Sequence, residues 1–298
     1  MSLQPRLIGV DWGTSNLRVM RIAEDGRVLE SRSDPRGAGR LTPEAFAPIL
    51  QAVAGDWLDP ALPVFVCGMA GAPGRWLDAG FLPCPAGADE IIAGLKRPDP
   101  DGPFIIPAVA MVDEAGLQDV MRGEETQILG LITAEAVAPV IVAPGTHSKW
   151  VRMDGARIRD FRTFMTGELF SALRAGTVLG VGMGDPGGDD AAFRHGVERG
   201  LATSAASADL FSVRIEMLAG RVPLSGTADY MSGLLIGLEI AAQPRSSLAG
   251  DISIVGADRL TIRYQQALAL AGCATVRRHS AEDATARGLW RIYEAFSQ

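Results

Sequence analysis

The first 30 residues of the chain alternate apolar runs with short polar turns. The apolar run Leu7–Val10 ends in Asp11, and a Gly-Thr-Ser turn separates it from a second apolar-rich run at Leu17–Ile22. Asp25-Gly26 follows and leads into Arg27–Glu30. Asp-Gly favours a tight hairpin turn with positive φ at both central positions, so the pattern predicts three strands joined by two turns.

The same pattern occurs again in the middle of the chain. The apolar run Val140–Ala143 leads to a Gly-Thr-His-Ser turn, and Lys149–Met153, Asp154-Gly155 and Ala156–Phe161 follow in the same order. The glycines that open the two turns are 132 residues apart, whereas the two Asp-Gly pairs are 129 residues apart. The chain therefore contains an internal duplication whose second hairpin is three residues shorter.

Periodicity outside the two copies predicts the remaining elements. Further strands are expected at 63–67, 104–111 and 251–255, and helices at 43–55, 169–175, 189–203, 210–219, 225–242, 259–271 and 281–296, with one more beginning at Glu124. Thr42 and Pro43 are typical of an N-cap and a first helical residue. The residues before Glu124 are interpreted as a loop. Gly233 and Gly237 would permit close packing of the helix at 225–242.

The totals limit which classes of protein the chain can belong to. Its 298 residues suit two domains better than one. Hydrophobic residues make up 47% and charged residues 21%, which is ordinary for a globular protein. The formal net charge of −7 argues against a nucleic-acid partner, because nucleic-acid phosphates would be repelled. An anionic substrate would need a local basic pocket.

Neither a targeting segment nor a membrane span is expected from the sequence. The N-terminus lacks the charged-then-apolar order of a signal peptide. The most apolar window, Met231–Ala242, is too short to cross a bilayer and contains Glu239. The three cysteines are widely spaced and suit neither a disulfide framework nor a metal site, so the expected location is cytoplasmic.

The two Gly-Thr turns have the composition of an anion site. Glycine and hydroxyl residues between two strands expose backbone N–H groups, which can form a concave site for phosphate oxygens. We call Gly13–Asn16 the first Gly-Thr turn and Gly145–Ser148 the second Gly-Thr turn. Together they could bind a polyphosphate from two sides, with Asp11 before the first and Lys149 after the second. The sequence contains no GxxxxGK[ST] motif, which excludes a Walker-type nucleotide site.

Several motifs resemble those of a known kinase family. DWGTSNLR and APGTHSKW look like the first and second phosphate motifs of the actin-like ATPase superfamily, which includes sugar kinases, Hsp70 and actin. PGTHSKW, together with VMRGEETQ, DFRTFMTGEL and SGLLIGLE, resembles the 2-dehydro-3-deoxygalactonokinase family. The resemblance extends from Ile8 to about Ala295.

The resemblance implies an α/β fold with two ribonuclease H-like domains of the actin/Hsp70/sugar-kinase type, each built on a mixed five-stranded sheet. Residues 1–135 would carry the first Gly-Thr turn and the sugar-binding loops. Residues 136–298 would carry the second Gly-Thr turn and the adenosine site, with the final helix near the junction. The chain would cross between the domains at about Ala134–Pro139, and ATP and substrate would bind in the interdomain cleft.

The resemblance also implies an activity. The chain would be a sugar-acid kinase that uses ATP and Mg²⁺ to phosphorylate O6 of 2-dehydro-3-deoxy-D-galactonate, a step of D-galactonate catabolism. The alternatives are a kinase for another sugar or keto-sugar acid and, less favoured by the compact length, a non-catalytic ATP-dependent switch. The expected partner is a small-molecule sugar acid, without nucleic acid or membrane, and a homodimer is possible.

Site residues follow from the same resemblance. Glu124 would be the catalytic base, and Asp11 would be a catalytic residue that holds Mg²⁺ through its water shell. Phosphate-binding residues would be Gly13, Thr14, Ser15, Asn16, Gly145, Thr146, His147, Ser148 and Lys149. Gly256, Ala257 and Asp258 would bind adenosine, and Gly68, Met69, Arg122, Arg162, Thr166 and Glu168 would bind the substrate.

Three assignments remain open on the sequence alone. Glu125 competes with Glu124 for the role of base, because the spacing around them differs by one residue from the commoner kinase pattern. Arg122 competes with Arg162 as the clamp for the substrate carboxylate. Lys149 could neutralise charge near the phosphates, or it could point outward from its strand.

Overall fold

The computed structural model describes residues 4–132 and 137–298. Within it the chain forms two compact units. The first unit comprises Met1–Val137, Val151–Phe161 and His279–Gln298, and the second unit comprises Ala138–Trp150 and Arg162–Arg278. The expected crossing at 134–139 falls largely on residues 133–136, which lie outside the described residues. Val151–Phe161 and His279–Gln298 thus belong to the first unit, although they follow residues of the second unit in the sequence. The domain boundary between residues 135 and 136 stays a prediction.

Thirteen strands form three sheets in the described ranges. The strands are β1 (Leu7–Trp12), β2 (Leu17–Ile22), β3 (Val28–Asp34), β4 (Val64–Gly68), β5 (Phe81–Pro83), β6 (Phe104–Ile105), β7 (Ala108–Asp113), β8 (Gly116–Met121), β9 (Val140–Ala143), β10 (Ser148–Asp154), β11 (Arg157–Phe164), β12 (Ile252–Gly256) and β13 (Val276–Ser280). Strands β2 and β9 match the predicted ranges residue for residue.

The two five-stranded sheets repeat one topology. The first has the order β3-β2-β1-β4-β6, in which β1, β2 and β3 are antiparallel neighbours and β4 runs parallel to both β1 and β6. The second has the order β11-β10-β9-β12-β13, with β12 parallel to β9. Each sheet therefore consists of a three-stranded meander followed by two further strands, the first of which runs parallel to the central strand of the sheet. This duplicated mixed sheet confirms the predicted fold class, the two ribonuclease H-like α/β halves of actin-like proteins.

Eleven α-helices accompany these sheets in the described part of the chain. They are α1 (Phe46–Ala54), α2 (Ala88–Ala93), α3 (Glu124–Leu129), α4 (Thr166–Gly176), α5 (Asp190–Leu201), α6 (Ala206–Leu210), α7 (Ser212–Leu218), α8 (Thr227–Ala241), α9 (Arg245–Leu248), α10 (Asp258–Leu270) and α11 (Ala281–Phe296). The predicted start of α3 and both ends of α11 are confirmed. None of these helices is both long and apolar enough to cross a membrane.

The segment 104–121 differs from its prediction. The strand expected at 104–111 is interrupted at Pro107 as the sequence predicts, because proline has no N–H to donate to a continuous ladder, but its two parts belong to different sheets. Gly116–Met121, interpreted as a loop, is the edge strand β8 of a three-stranded sheet with the order β5-β7-β8. Its polar residues Gln118 and Asp119 hide the alternation that identifies a strand.

The Asp-Gly hairpin turn also differs from its prediction. Gly26 has a φ of 76°, but no described residue other than glycine has a positive φ, so Asp25 does not. The Gly26 N–H donates to the Ala23 carbonyl at 3.0 Å, and the β2–β3 register shifts by one residue between Arg21 and Ile22. The connection is an ordinary turn followed by a glycine bulge.

The largest differences between the predicted and observed helices occur at α1, α4 and α7. A 3₁₀ turn at Pro43–Ala45 precedes α1, and the Thr42 side chain makes no capping hydrogen bond. Helix α4 begins at Thr166, ahead of the predicted 169. The predicted helix at 210–219 is the end of α6 followed by α7.

Helices α5 and α8 pack through glycines on both sides. A Cβ atom on Gly233 would lie 2.1 Å from the Phe193 carbonyl oxygen, and one on Gly196 would lie 2.1 Å from the Tyr230 carbonyl oxygen. Gly237 is similarly close to the Val197 carbonyl oxygen, at 2.5 Å. The predicted close packing at Gly233 and Gly237 is confirmed, and it fixes α8 in the core of the second unit.

This packing generates a stability prediction. Gly233→Ala should lower the free energy of unfolding by about 1–3 kcal/mol, because the opposing backbone oxygen cannot move aside without shifting a helix. The control is Gly176→Ala at the end of α4, where a Cβ would meet nothing within 4 Å in the described chain. Denaturant unfolding should show the control at least as stable as wild type. Equal stability of both variants would contradict the packing.

Candidate active site

The first Gly-Thr turn lies on the rim of a surface cavity in the first unit. Thr14, Ser15 and Asn16 are exposed between β1 and β2. The cavity has a volume of about 670 Å³ and is lined by Asp11, Gly13, Thr14, Ser15, Asn16, Leu17, Arg18, Ser33, Asp34 and Pro35. The turn is held from one side, since the Ala38 N–H donates to the Gly13 carbonyl and the Gly39 N–H to the Thr14 carbonyl, both at 2.9 Å.

The second Gly-Thr turn has the same kind of support in the second unit. The Glu168 N–H, in the first turn of α4, donates to the Thr146 carbonyl at 3.0 Å. A Cβ on Gly167 would lie 2.4 Å from the Gly145 carbonyl oxygen, so only glycine permits this approach. On the other side, a Cβ on Gly145 would have His147 O at 4.0 Å as its nearest neighbour. The turn is therefore supported on one side and open on the other.

The side chains of the second Gly-Thr turn divide between solvent and interior. The His147 imidazole is exposed, with Nε2 at 2.5 Å from Oε2 of Glu168. The Ser148 hydroxyl is fully buried and lies 2.7 Å from the Tyr264 hydroxyl. Lys149 is 6% exposed and its ammonium donates to the His147 carbonyl at 3.3 Å. Lys149 therefore does not point outward, and that alternative was wrong.

A deeper cavity of about 340 Å³ adjoins the second Gly-Thr turn. Its lining is Gly145, Thr166, Gly167, Phe170, Pro186, Gly187, Asp229, Ser232, Leu235, Ile236, Ala257, Arg259, Leu260, Arg263 and Tyr264. Of the predicted adenosine-binding residues, Ala257 lines the cavity, and Gly256 and Asp258 flank it in the chain. Sequence reasoning missed Arg259 and Arg263, because helix α10 carries no motif that distinguishes them.

Charged groups surround Asp11 in the first unit. Asp11 on β1 pairs with Arg18 on β2, and Arg18 lies 3.5 Å from Glu282. Burial raises the pKa of Asp11, the charge of Arg18 lowers it, and the charges of Glu124 and Glu282 raise it. Sequence reasoning missed Arg18, although the tight turn between the two strands fixes its position opposite Asp11.

Backbone contacts bring three predicted site elements together in the first unit. A Cβ on Gly68, which has a φ of 86° at the end of β4, would lie 2.7 Å from the Trp12 carbonyl oxygen at the end of β1. Gly123, with a φ of 104°, precedes α3, and its Cβ would lie 3.3 Å from the Gly68 Cα. The end of β1, the substrate loop that begins at Gly68 and the start of α3 therefore meet at one place.

Glu124 and Glu125 occupy different environments at the start of α3. Glu124 is half-buried, and its Oε2 accepts the Arg122 N–H at 3.1 Å. Glu125 is 1% exposed, and its carboxyl accepts the Gly123 N–H at 2.6 Å and the Thr126 hydroxyl at 3.0 Å. Burial, reinforced by the charge of Glu124, raises the pKa of Glu125 to about 7. Only Glu124 retains surface that a substrate can contact.

The predicted substrate-binding residues divide between the two units. Gly68, Met69 and Arg122 belong to the first unit, and Arg162, Thr166 and Glu168 to the second. Arg122 Nη2 donates to the Gly80 carbonyl at 3.2 Å, while its buried Nη1 has no hydrogen-bond partner in the described chain. Burial lowers the pKa of Arg122. Arg162 is exposed, with its guanidinium 5.4 Å from the Phe164 ring.

The duplicated sheets and the paired Gly-Thr turns define an actin-like α/β protein. Within this class, the chain belongs to the 2-keto-3-deoxy-galactonokinase family, whose model matches residues 11–292. A 2-dehydro-3-deoxygalactonokinase of Escherichia coli strain K12 is 40% identical over 272 residues, which cover 90% of this chain and 91% of that protein.

Two solved structures resemble the chain. A provisionally named 2-dehydro-3-deoxygalactonokinase from Sinorhizobium meliloti is 35% identical, with a TM-score of 0.83 over 97% of this chain and 98% of that one. Component A of the (R)-2-hydroxyglutaryl-CoA dehydratase of Acidaminococcus fermentans shares the fold, with a TM-score of 0.53 at 10% identity over 98% of this chain and 99% of that one. The first likeness agrees with the family, and the second concerns the fold alone.

The environment of Glu125 generates a prediction about pH. Because the folded state raises the pKa of Glu125 from 4.5 to about 7, its contribution to stability is present below pH 4.5 and is lost as the pH rises through 7. Between pH 5 and pH 8, wild type should lose roughly 2–3 kcal/mol of unfolding free energy relative to Glu125→Gln. Denaturant unfolding of both proteins measures this difference. A difference that does not change with pH would contradict it.

Proposed function

We propose that this chain transfers the γ-phosphoryl group of ATP to O6 of 2-dehydro-3-deoxygalactonate. Membership of the family and 40% identity to a protein of that name support the substrate. One structural observation carries the mechanism. Asp11 and Glu124 interact electrostatically beside an exposed Gly-Thr turn, at the point where β1, β4 and α3 meet. Phosphoryl transfer needs mainly positioning and charge neutralisation, which this arrangement can supply.

Each Gly-Thr turn would offer backbone N–H groups to phosphate oxygens of ATP. Backbone N–H groups and the hydroxyls of Thr14 and Ser15 would contact phosphate oxygens from the first turn, and Arg18 adds a positive charge to the same cavity. The second turn adjoins the 340 Å³ cavity, whose lining combines apolar side chains with a few polar and charged ones, as is usual for small-molecule sites. The adenosine would lie there, against Ala257.

Asp11 fits the role of magnesium ligand. Mg²⁺ keeps several waters and takes few protein carboxylates, and the described residues contain no group of three or more His, Cys, Asp or Glu that could hold a metal ion. Burial and the charges of Glu124 and Glu282 raise the pKa of Asp11, so a nearby cation would favour its ionised form. When bound, Mg²⁺ supplies neutralisation of the phosphate charge.

Glu124 would act as the catalytic base. The O6 hydroxyl of the substrate would donate its proton to a carboxylate oxygen of Glu124 while the oxygen attacks the γ-phosphorus and the bond to the ADP oxygen breaks. Glu125 would have a supporting role in the protein interior. Its carboxyl group accepts a hydrogen bond from the Gly123 N–H and so fixes the turn that precedes Glu124.

Arg122 is the favoured partner of the substrate carboxylate. It lies two residues before Glu124, and its half-buried guanidinium forms no described ion pair, so an incoming anion would neutralise a charge that burial destabilises. Arg162, which the sequence favoured over Arg122, is the competing candidate. It forms no described ion pair either, but its exposure leaves its charge solvated.

The assignment of the base is tested by a pair of neighbouring variants. Glu124→Gln should lower kcat by about 10²-fold or more, with little change in the affinity for ATP, because only proton transfer is lost. Glu125→Gln keeps an acceptor for the Gly123 N–H and should retain most of the wild-type kcat. Steady-state kinetics with ATP and the sugar acid measures both. A reversed order of effects would make Glu125 the base.

The carboxylate clamp is tested by arginine-to-lysine substitutions. Arg122→Lys should raise KM for the sugar acid more than it lowers kcat, because lysine keeps the charge but loses the bidentate geometry. Arg162→Lys is the matched control and should leave KM nearly unchanged. If only Arg162→Lys raised KM, the clamp would be Arg162.

A further inference from the structure

A buried carboxyl group lies at the centre of the second unit, and the proposed reaction does not use it. Glu239 on α8 is 3% exposed. Its Oε1 accepts the Trp150 indole N–H at 2.6 Å, and its Oε2 accepts the Tyr264 hydroxyl at 2.7 Å. The Thr166 hydroxyl donates to the same Oε2. These side-chain partners are all neutral, and burial raises the pKa of Glu239.

The partners of Glu239 belong to the elements that form the second Gly-Thr turn. Tyr264 links Glu239 to Ser148, the last residue of that turn, through a 2.7 Å contact between hydroxyls. Thr166 begins α4, whose next residues support the turn from the other side, with the Glu168 N–H on the Thr146 carbonyl. One carboxyl group thus connects both supports of the turn.

The burial of the Glu239 carboxyl group is energetically unfavourable. Burying a carboxyl group costs free energy that an apolar residue of similar size would not, so Glu239 is a poor choice for stability alone. The Trp150 indole can only donate, which commits Oε1 to accept. Oε2 then receives the two hydroxyls that lead to opposite sides of the turn. These hydrogen bonds therefore fix the positions of the partner side chains, which apolar packing at the same place would not do.

We propose that Glu239 is a positioning residue for phosphate binding, which sets the distance between Ser148 and the start of α4 and thereby the shape of the second Gly-Thr turn. This inference rests on the proposal that the turn binds the phosphates of ATP. The inference also changes the role predicted for Ser148. Its hydroxyl contacts Tyr264 in the interior, so only the backbone atoms of Ser148 would contact a ligand.

Two variants test the proposal without touching the nucleotide. Glu239→Gln retains volume but replaces one acceptor oxygen by an NH₂ donor, and Ser148→Ala removes a hydroxyl group that is fully buried. Each should raise the Kd for MgADP, measured by calorimetry, and the KM for ATP by about tenfold, the effect of one or two lost hydrogen bonds. The KM for the sugar acid should stay within twofold of wild type.

The second unit provides a matched control. Tyr230 and Ser212 form another buried pair of hydroxyls, 2.8 Å apart, and neither residue lines the cavity. Tyr230→Phe and Ser212→Ala should lower the melting temperature as much as Ser148→Ala does while binding MgADP with wild-type affinity. Wild-type affinity in Ser148→Ala and in folded Glu239→Gln would overturn the proposal and make Glu239 a purely structural residue. If Glu239→Gln does not fold, Ser148→Ala decides alone.

A third variant separates this inference from the proposed function. Gly145→Val places a side chain on the open side of the turn, where a Cβ would have the His147 carbonyl oxygen at 4.0 Å as its nearest neighbour among the described residues. It should weaken MgADP binding strongly. Wild-type affinity in Gly145→Val would show that the turn does not bind phosphates, and the proposed function would fail together with this inference. Weak binding in Gly145→Val combined with normal binding in Glu239→Gln and Ser148→Ala would overturn only the role of Glu239.

Discussion

The two Gly-Thr turns are supported by the same backbone hydrogen bond, which the chain makes once in each copy. In each half, a segment that follows the third strand of the meander donates an N–H to the carbonyl of the threonine in a Gly-Thr turn, from Gly39 to Thr14 and from Glu168 to Thr146. The bond occupies a carbonyl that would repel an anion. Its repetition shows that the two copies of the duplicated segment support their Gly-Thr turns in the same way, as our proposal that both turns bind phosphates requires.

The carboxyl groups of Asp11 in the first unit and Glu239 in the second unit have different electrostatic surroundings. In the first unit, the charges of Arg18, Glu124 and Glu282 all act on Asp11, and the two carboxylates raise its pKa while Arg18 lowers it. In the second unit, the carboxyl group of Glu239 is surrounded by neutral donors and shielded from solvent. Charged side chains therefore surround Asp11 in the first unit, whereas neutral side chains surround Glu239 in the second.

Local pattern was sufficient for much of the fold. Strands β2 and β9 and helix α11 could be predicted because apolar periodicity and the flanking turns agree there. Strand β8 could not be predicted, since Gln118 and Asp119 interrupt its alternation. The sequence alone also could not decide whether Glu124 or Glu125 is the better candidate for the base. The answer depends on which of the two side chains is buried, and this is set by how α3 begins after Gly123, which has a positive φ. Glu239 was visible only as a charge in the most apolar window, and its partners are distant in sequence.

The central claim is that this chain phosphorylates the terminal hydroxyl of a keto-sugar acid. Its most direct test is phosphorus NMR of the protein with ATP, Mg²⁺ and 2-dehydro-3-deoxygalactonate. We expect a new phosphomonoester signal, split by the two protons of C6, to grow in equal amount with ADP. Release of inorganic phosphate without an ester, or an ester at another carbon, would contradict the account.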